Sequence, residues 1–408
     1  MLKIGWIDFS KEHRKRVLNV LSLLTTKGAV DELGVGVARD RLANILFPGT
    51  STIQTRARYF FLVPWIMRDI EKQQLKPGAF AEQLSTRELS MIEVLKKSGE
   101  DGVIGGRAGE SLKRKPSDIY WNGLSTYGIF RHQGLTLMQY VQIAGKLSKE
   151  KNLRKQMIST EEDSREDPYA FGAESLGPSW HVPEPPDNWE KELPMQLFRE
   201  EALFLREKIL TATSSRNSLW AEILRNHRKG ALNCKDFVDL EPLVYQMPSG
   251  IKREYLLARD FAKIIHGAHI RYNVIFFREA GIQQRRDELE SAWRRWVSDM
   301  QQFDFENWDD NYLFYKLNLR DMKTRRFIRD WIEIAKEPRR IDTDEVDRKI
   351  IFREESIKGR DRCKLRLAKE MSHTDISWIG IGLLQYRWLN AKVILKDIVD
   401  GEDNNAKT

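Results

Sequence analysis

The residues of this chain best suited to bind a ligand lie in the segment LFPGTSTIQTRARYFFLVPW, residues 46–65. A Pro-Gly turn opens the segment, and the hydroxyl of Ser51 or Thr52 after it is a good N-cap for a helix. The free N–H groups and the positive dipole end of a helix can hold a phosphate. Thr52 and Arg56 are one helical turn apart and could share that site, whereas Arg56 and Arg58 point about 200° apart on a helix. The predicted phosphate contacts in this segment are Thr52, Arg56 and Arg58, and the two arginines cannot both face one phosphate.

The same positions also have a structural interpretation. Thr52 then only caps the helix, and Arg56 or Arg58 forms an ion pair with Asp40 or Asp69. The spacing of these residues does not decide between a phosphate site and a capped, internally paired helix, so both interpretations stay open here.

A second candidate site is the Gly-rich segment GVIGGRAG, residues 102–109, with the basic run that follows it. Glycines allow a backbone to approach a phosphate closely, and neighbouring cations attract a polyanion. The pattern matches neither GxGxxG after a strand nor GxxxxGK[ST], so nucleotide binding is only weakly supported. The alternative is a flexible loop whose charges are merely solvated. The predicted nucleic-acid contacts in this segment are Arg107, Lys113, Arg114 and Lys115.

Two further patterns would suit a metal, but both have a more ordinary explanation. His266 and His269 fall on one helix face, yet no Glu stands between them and no third ligand can be assigned. The apolar residues around them favour packing histidines. Asp236, Asp239 and Glu241 could hold a divalent metal in a nuclease, although a surface cluster of acids is the more common meaning of such a trio.

The remaining motifs indicate no catalytic reaction. Tyr120 and Trp121 could stack on bases, but aromatic residues at helical spacing are more often core residues. The run His227-Arg-Lys229 is similar to the start of a phosphodiesterase motif, but Cys234 occupies the position of its Asp. No GxSxG is present either. We therefore predict no catalytic residue, no metal and no cofactor, and a protein that binds rather than catalyses.

Positive charge is concentrated before residue 158. Residues 1–157 contain 26 Lys and Arg against 15 Asp and Glu, residues 158–192 contain 2 against 10, and residues 193–408 contain 40 against 35. Basic surfaces commonly meet nucleic acid, unless their Lys and Arg only solvate helices. No apolar run approaches the length of a membrane span. Two cysteines, Cys234 and Cys363, form no disulfide framework, which fits a reducing cytoplasm.

The acidic stretch also divides the chain. Residues 161–190 are rich in Glu, Asp, Pro and Gly and lack helical periodicity, which predicts an extended connector. Trp180 and Trp189 argue against full disorder, because large aromatic side chains usually cover a surface. The predicted organisation is a basic helical domain at 1–157, an acidic Pro-rich connector at 158–192 and a helical domain at 193–408.

Apolar residues recur at helical spacing in both predicted domains. The predicted fold class is mainly α, with many helices, an N-terminal module compatible by analogy with a winged helix, and a C-terminal helical domain. Short strand candidates cover 102–104 and 349–352. The predicted helices cover 12–24, 35–46, 52–71, 80–97, a helix capped by Ser117, 135–146, 195–210, 218–227, 252–280, 285–302, 321–336 and 385–398.

Motifs at both ends of the chain resemble one family. GWIDFS at 5–10, DELG at 31–34 and the 46–65 segment are similar to the N-terminal signature of a bacterial family known only as a domain of unknown function. SWIGIGLLQYRWLNAKVILKDIVDG at 377–401 resembles the end of that family. The resemblance implies that the whole chain is one family unit, found among anti-phage defence and DNA-modification genes near helicases and phospholipase-D-like nucleases. It implies no activity and no site residue.

The charge pattern and the resemblance lead to one main hypothesis. The chain is expected to be a bacterial, cytoplasmic, non-enzymatic adaptor or sensor that binds DNA and works with a helicase or nuclease in anti-phage defence. The N-terminal part would contact phosphates, the C-terminal part would bind the protein partner, and no membrane would be involved. Two alternatives stay open, a metal-dependent nuclease using Asp236 or Asp239, and a pure scaffold whose charges serve only solvation.

Overall fold

The structure, a computed structural model, describes residues 31–147, 179–340, 342–370 and 377–404. These residues are mainly α-helical, which confirms the predicted fold class. They contain no β-strand, only an isolated antiparallel bridge between Phe130 and Trp180. The β-hairpin of a winged helix thus has no counterpart in residues 31–147. The GWIDFS motif and the helix predicted at 12–24 lie outside the described residues.

Most predicted helices occur within a few residues of their expected positions. The candidate strand at 349–352 is wrong because these residues lie inside one of the helices, and 102–104 form no strand. Within the described ranges, no helix combines the length and apolar composition needed to cross a bilayer. The helices are α1 (Gly36–Leu46), α2 (Tyr59–Glu71), α3 (Pro77–Lys96), α4 (Pro116–Thr126), α5 (137–147), α6 (Arg199–Thr211), α7 (Leu219–Glu222), α8 (Arg228–Asn233), α9 (Glu241–Val244), α10 (Ser249–Glu279), α11 (Gln283–Gln301), α12 (Asp310–Lys316), α13 (Met322–Lys336), α14 (Thr343–Lys358) and α15 (Trp388–Asp403).

The chain forms two compact units that cut across the boundaries predicted from composition. Of the described residues, those within 31–42 and 253–384 form unit 1, and those within 43–252 and 385–404 form unit 2. Unit 2 therefore contains described residues from the basic part, the acidic connector and the C-terminal part. The chain returns to unit 2 at its end because α15 packs against α6.

Unit 1 is built around α10 and a cluster of tryptophans. The rings of Trp293 and Trp296 stack with centroids 4.8 Å apart, and Trp331 lies 5.7 Å from Trp296. A fully buried carboxylate, Glu354, accepts hydrogen bonds from the Tyr272 hydroxyl at 2.8 Å and from two backbone N–H groups at 3.0 and 3.1 Å. These contacts satisfy a charge that would otherwise be costly to bury.

Unit 2 is organised by α2 and α15. Every residue of α2 from Tyr59 to Met67 is buried, as its apolar run predicts. At the C-terminal end of α15, Gly401 lets the helix approach α6 closely, since an added Cβ would lie 2.8 Å from the Cβ of Ala202. At its start, the ring of Trp388 lies 5.8 Å from that of Phe47.

The described end of the acidic connector is packed onto unit 2. The Trp180 ring lies 5.5 Å from Tyr140, and the Trp189 ring lies 5.6 Å from Trp65. The indole N–H of Trp65 donates to the carbonyl of Pro183 at 2.8 Å. The tryptophans thus pack residues 179–192 against unit 2, of which these residues are a part.

The helix predicted from residue 52 begins at Tyr59 instead, so the predicted cap at Ser51 or Thr52 is wrong. Just before Tyr59, backbone N–H groups bond to side chains from distant parts of unit 2. The hydroxyl of Tyr120 accepts from two of them at 3.0 and 3.1 Å, and Asp397 accepts from a third at 2.7 Å. These acceptors replace the helical carbonyls, so the segment folds as turns.

Arg58 is fully buried at the start of α2. Its Nη1 donates to Glu201 at 2.6 Å, its Nε donates to the carbonyl of Pro194 at 2.8 Å, and Nη2 donates to the carbonyl of Gln196. The predicted partners of this arginine, Asp40 and Asp69, are not among these acceptors. The guanidinium therefore joins α2 to the start of α6 and is part of the core.

We expect Arg58→Met to destabilise the protein by about 3–5 kcal/mol, because it leaves the Glu201 carboxylate buried without its cation. The matched control is Lys96→Met, which removes an exposed pair with Glu93 and should change stability by less than about 1 kcal/mol. The free energy of unfolding in urea measures both. Equal effects of the two variants would show that the buried ion pair has no special weight.

Candidate nucleic-acid interface

Thr52 and Arg58 do not form the phosphate site that their spacing predicts. Thr52 is exposed in a turn seven residues before α2 begins, and its carbonyl accepts from Asn390 at 3.3 Å. Arg58 is enclosed in the core. No helix begins directly after Thr52. The free N–H groups on which the predicted phosphate site depended are therefore missing next to this residue.

Arg56 is engaged by internal acceptors through all of its guanidinium nitrogens. Nε donates to the Asp397 carboxylate at 2.9 and 3.1 Å, Nη2 donates to Glu100 at 3.0 Å, and Nη1 donates to the carbonyl of Asp101 at 2.9 Å. Only 15% of its side chain is exposed. Arg56 therefore fixes residues 100 and 101 to α15, and it is a positioning residue rather than a phosphate contact.

The Gly-rich segment is a loop that begins at this anchor. Gly102 has φ +92°, and its carbonyl accepts from the Thr55 hydroxyl at 2.6 Å. Two residues later the backbone N–H of Ile104 donates to the Tyr59 hydroxyl at 2.7 Å. Gly105, at φ +83°, then passes so close to Ile92 that an added Cβ would lie 2.6 Å from its Cδ1. These contacts hold the near end of the loop against α2 and α3.

We call residues 99–115 the basic loop. The part of this loop away from the Arg56 anchor presents its cations to solvent. Arg107, Lys113 and Arg114 are exposed, and among the described residues no acidic group forms an ion pair with them. Lys115 is half-buried, and its Nζ donates to the hydroxyl of Ser85 on α3. Four of the seven predicted contacts are therefore clustered in sequence on one anchored loop, and three of these are fully available.

Lys115 also lines a surface groove of about 440 Å³ between α3, the start of α4 and α5. The walls are largely apolar, and Met138 on α5 is 75% exposed at this groove. A carboxyl group, Glu88, lies in the groove lining although the residue is only 3% exposed. No sequence pattern indicates this groove, because its lining comes from three separate helices.

Glu88 caps α4 from outside the helix. One carboxylate oxygen accepts from the backbone N–H of Ser117 at 2.6 Å, and the other accepts from its hydroxyl at 3.1 Å. Burial raises the pKa of Glu88 to about 7, although these hydrogen bonds and Lys115 act in the opposite direction and Asp118 adds to the increase. Ser117, predicted as the cap of this helix, instead lies in its first turn.

Tyr120 and Trp121 are packing residues rather than base-stacking ones. Tyr120 is fully buried, with its ring 5.0 Å from that of Phe60. The Trp121 ring lies 4.6 Å from Phe130, and its indole N–H donates to the carbonyl of Leu135 at 3.0 Å.

The two histidines of α10 belong to the core of unit 1. Burial lowers the pKa of His269 to about 3 and that of His266 to about 4, so both rings are neutral near pH 7. The His266 ring is stacked near Trp378. Across the described residues, no three His, Cys, Asp or Glu side chains are grouped as a metal site would require.

The acidic trio serves local structure. Asp239 accepts from the backbone N–H groups of Lys235 and Asp236, both at 2.9 Å, which closes a short 3-10 turn. Asp236 accepts from Gln385 at 3.1 Å. Glu241 accepts from the Tyr245 hydroxyl at 3.3 Å. These hydrogen bonds account for the clustering of acids without a metal.

The His227-Arg-Lys229 run begins at the last residue of a π-helical turn and lines a second pocket, of about 370 Å³. Its cationic side is partly neutralised, because Arg228 pairs with Glu402, which also binds Arg206 at 2.7 Å. This pocket therefore offers a weaker anion site than the basic loop does.

Residues 1–156 match the family described as "Family of unknown function (DUF6361)". The matched part includes the described segment 31–147, which contains the basic loop and the groove. Searches of curated proteins and of solved structures found no match. The similarity supports an uncharacterised family over these residues, and the description names no activity.

We expect Arg56→Lys to loosen the basic loop, because a lysine cannot bond Asp397, Glu100 and the Asp101 carbonyl with one fixed geometry. Limited trypsin digestion should cut within the loop about tenfold faster, which corresponds to a local loss of about 1.4 kcal/mol. The control is Arg206→Lys, which alters a single ion pair on α6. Unchanged cleavage in the Arg56 variant would show that the loop is fixed by other contacts.

We expect the stability of the protein relative to Glu88→Gln to depend on pH. The folded pKa of about 7 lies above the unfolded value of 4.5, so folding binds a proton in this window and the carboxylate becomes a burden as pH rises. Between pH 4.5 and 7 the wild type should lose up to about 3 kcal/mol relative to the variant. Urea unfolding at pH 5 and 8 measures this, with the exposed Glu110→Gln as control. A difference that is constant with pH would contradict the assigned burial.

Proposed function

We propose that this chain is a non-enzymatic nucleic-acid-binding protein whose phosphate contacts come from the basic loop. The observation that carries the proposal is the presence of three exposed cations, Arg107, Lys113 and Arg114, without ion-pair partners in the described residues, on a loop anchored by Arg56. Each phosphate that a Lys or Arg neutralises releases counterions, which favours binding at moderate salt. Anchoring reduces the ordering cost of binding.

The unpaired state of these cations distinguishes them from Arg68 and Arg87, which also belong to unit 2. Arg68 pairs with Glu184 at 2.7 Å, and Arg87 pairs with Asp69 and Glu190. Such side chains would have to give up a partner before they could contact a phosphate. The cations of the basic loop face no such competition, which supports this loop as the contact surface.

A second positive group in unit 2 supports a polyanionic partner. The Nζ of Lys208 lies 2.7 Å from Nδ1 of His181. Burial and then the charge of Arg131 lower the pKa of Lys208, and Glu207 offsets this only in part. A phosphate near these side chains would relieve the mutual repulsion of Lys208 and Arg131.

The wider setting of the proposal comes from the resemblance of the terminal motifs. The proposed function includes a role as adaptor or sensor for a helicase or nuclease in bacterial anti-phage defence. DNA is the expected nucleic acid. A cytoplasmic location is also part of the proposal, and the two free, buried cysteines support it. No observed feature favours the alternative of a metal-dependent nuclease.

The first test is DNA binding by the full chain at increasing salt, with duplex and single-stranded oligonucleotides. The triple variant Arg107→Glu, Lys113→Glu, Arg114→Glu should bind more weakly. Because each lost phosphate contact changes the slope of log K against log salt by about 0.9, the slope should become shallower by about 2–3.

The matched control is Arg320→Glu, Lys323→Glu, Arg348→Glu. These three cations are also exposed, and the change in net charge is the same, but they belong to unit 1. Binding that survives in this control and falls in the loop variant supports the proposal. No binding by the wild type at low salt would overturn it in favour of a protein scaffold, and equal losses in both variants would overturn the assignment to the loop.

A further inference from the structure

We propose that the groove beside Lys115 takes one unstacked base of a single-stranded nucleic acid whose backbone is held by the basic loop. This inference rests on the proposed function, and it adds a substrate class and a second contact site to it. The volume of about 440 Å³ lies within the range of roughly 300–1,000 Å³ that is typical of small-ligand sites.

The walls of the groove suit the faces of a base. Leu84 and Val141 are buried in its lining, whereas Met138 is exposed over 75% of its surface. An exposed methionine is a flexible apolar group that adapts to an aromatic ligand and gains contact with it. Contact between a base and such side chains does not depend strongly on base identity, because every base has a π-face.

The polar end of the groove offers partners for the edge of a base. Glu88 accepts two hydrogen bonds from Ser117. A carboxylate has further lone pairs that can accept a hydrogen bond from the amino group of a base. Asp118 and Gln142 also line the groove. An apolar slot with a few hydrogen-bonding groups at one end is the usual design of a site for a small aromatic ligand.

The cations of the basic loop come close to the groove along the chain. Lys115 lines the groove itself, and Lys113 and Arg114 directly precede it in the chain. A base that enters the groove keeps its sugar and phosphates at the rim, next to these side chains. These three cations outnumber the two carboxyl groups of the lining, Glu88 and Asp118, so charge complementarity favours a nucleic-acid strand over a neutral small molecule as the occupant.

The geometry also selects the form of the nucleic acid. A base within a duplex is stacked on both faces and paired at its edge, so its entry into a groove costs the energy of unstacking and unpairing. A single strand has no paired edge to break. The groove is thus expected to favour single strands, whereas contacts from the basic loop alone would bind both forms.

The experiment compares a short single-stranded oligonucleotide with an abasic strand of the same length and charge. The wild type is expected to bind the base-containing strand about fivefold or more tightly, as loss of one stacked base implies. Met138→Ala should reduce this preference. Gly78→Leu should also reduce it by filling the groove, where an added Cβ meets no atom within 4 Å. The matched control is Met322→Ala, an exposed methionine of unit 1.

The outcomes separate this inference from the proposed function. A preference for bases that both groove variants lose and the control retains supports the inference. Equal, salt-sensitive binding of both strands by the wild type would overturn the groove and leave the proposed function standing, as would a preference that both groove variants retain. No binding of either strand would overturn both.

Discussion

The guanidinium of Arg56 holds together three parts of unit 2 that lie far apart in the sequence. It bonds Asp397, 341 residues away in sequence, and also Glu100 and the Asp101 carbonyl at the start of the basic loop. Arg56 itself lies three residues before the start of α2. A partly buried guanidinium needs acceptors for its N–H groups, so the C-terminal helix, the loop and the start of α2 are fixed together.

The cations of this chain are of two kinds that the sequence does not distinguish. Arg58 bonds Glu201 inside the core, whereas Arg107 and Arg114 have no acidic partner among the described residues. A buried, paired arginine specifies which parts of the chain meet, and an unpaired, exposed one is available to a polyanion. The division follows from the acceptors that surround each side chain. It separates the buried arginine at the start of α2 from the exposed cations of the basic loop.

One carboxyl group contributes both to the fold and to the lining of the groove. Glu88 accepts hydrogen bonds from the backbone N–H and the hydroxyl of Ser117 at the start of α4. The same residue lines the groove between α3, α4 and α5. The burial of an acid with a raised pKa works against stability near neutral pH. An apolar residue at this position would leave the N–H of Ser117 without an acceptor. The carboxyl therefore serves the fold while it gives the groove its polar end.

The sequence by itself determined the elements whose cause is local. Periodicity placed α11 and α13 within two residues, and composition identified Arg107, Lys113 and Arg114 as candidate contacts, which lie exposed in the structure. Only the tertiary structure decided where α2 begins, what Arg56 binds and that a groove exists. Helical spacing and exposed charge depend on neighbours within a few residues. Arg56 finds Asp397 across 341 residues, and the groove is lined by three helices within residues 77–142. Both depend on contacts between separate helices, which no local pattern records.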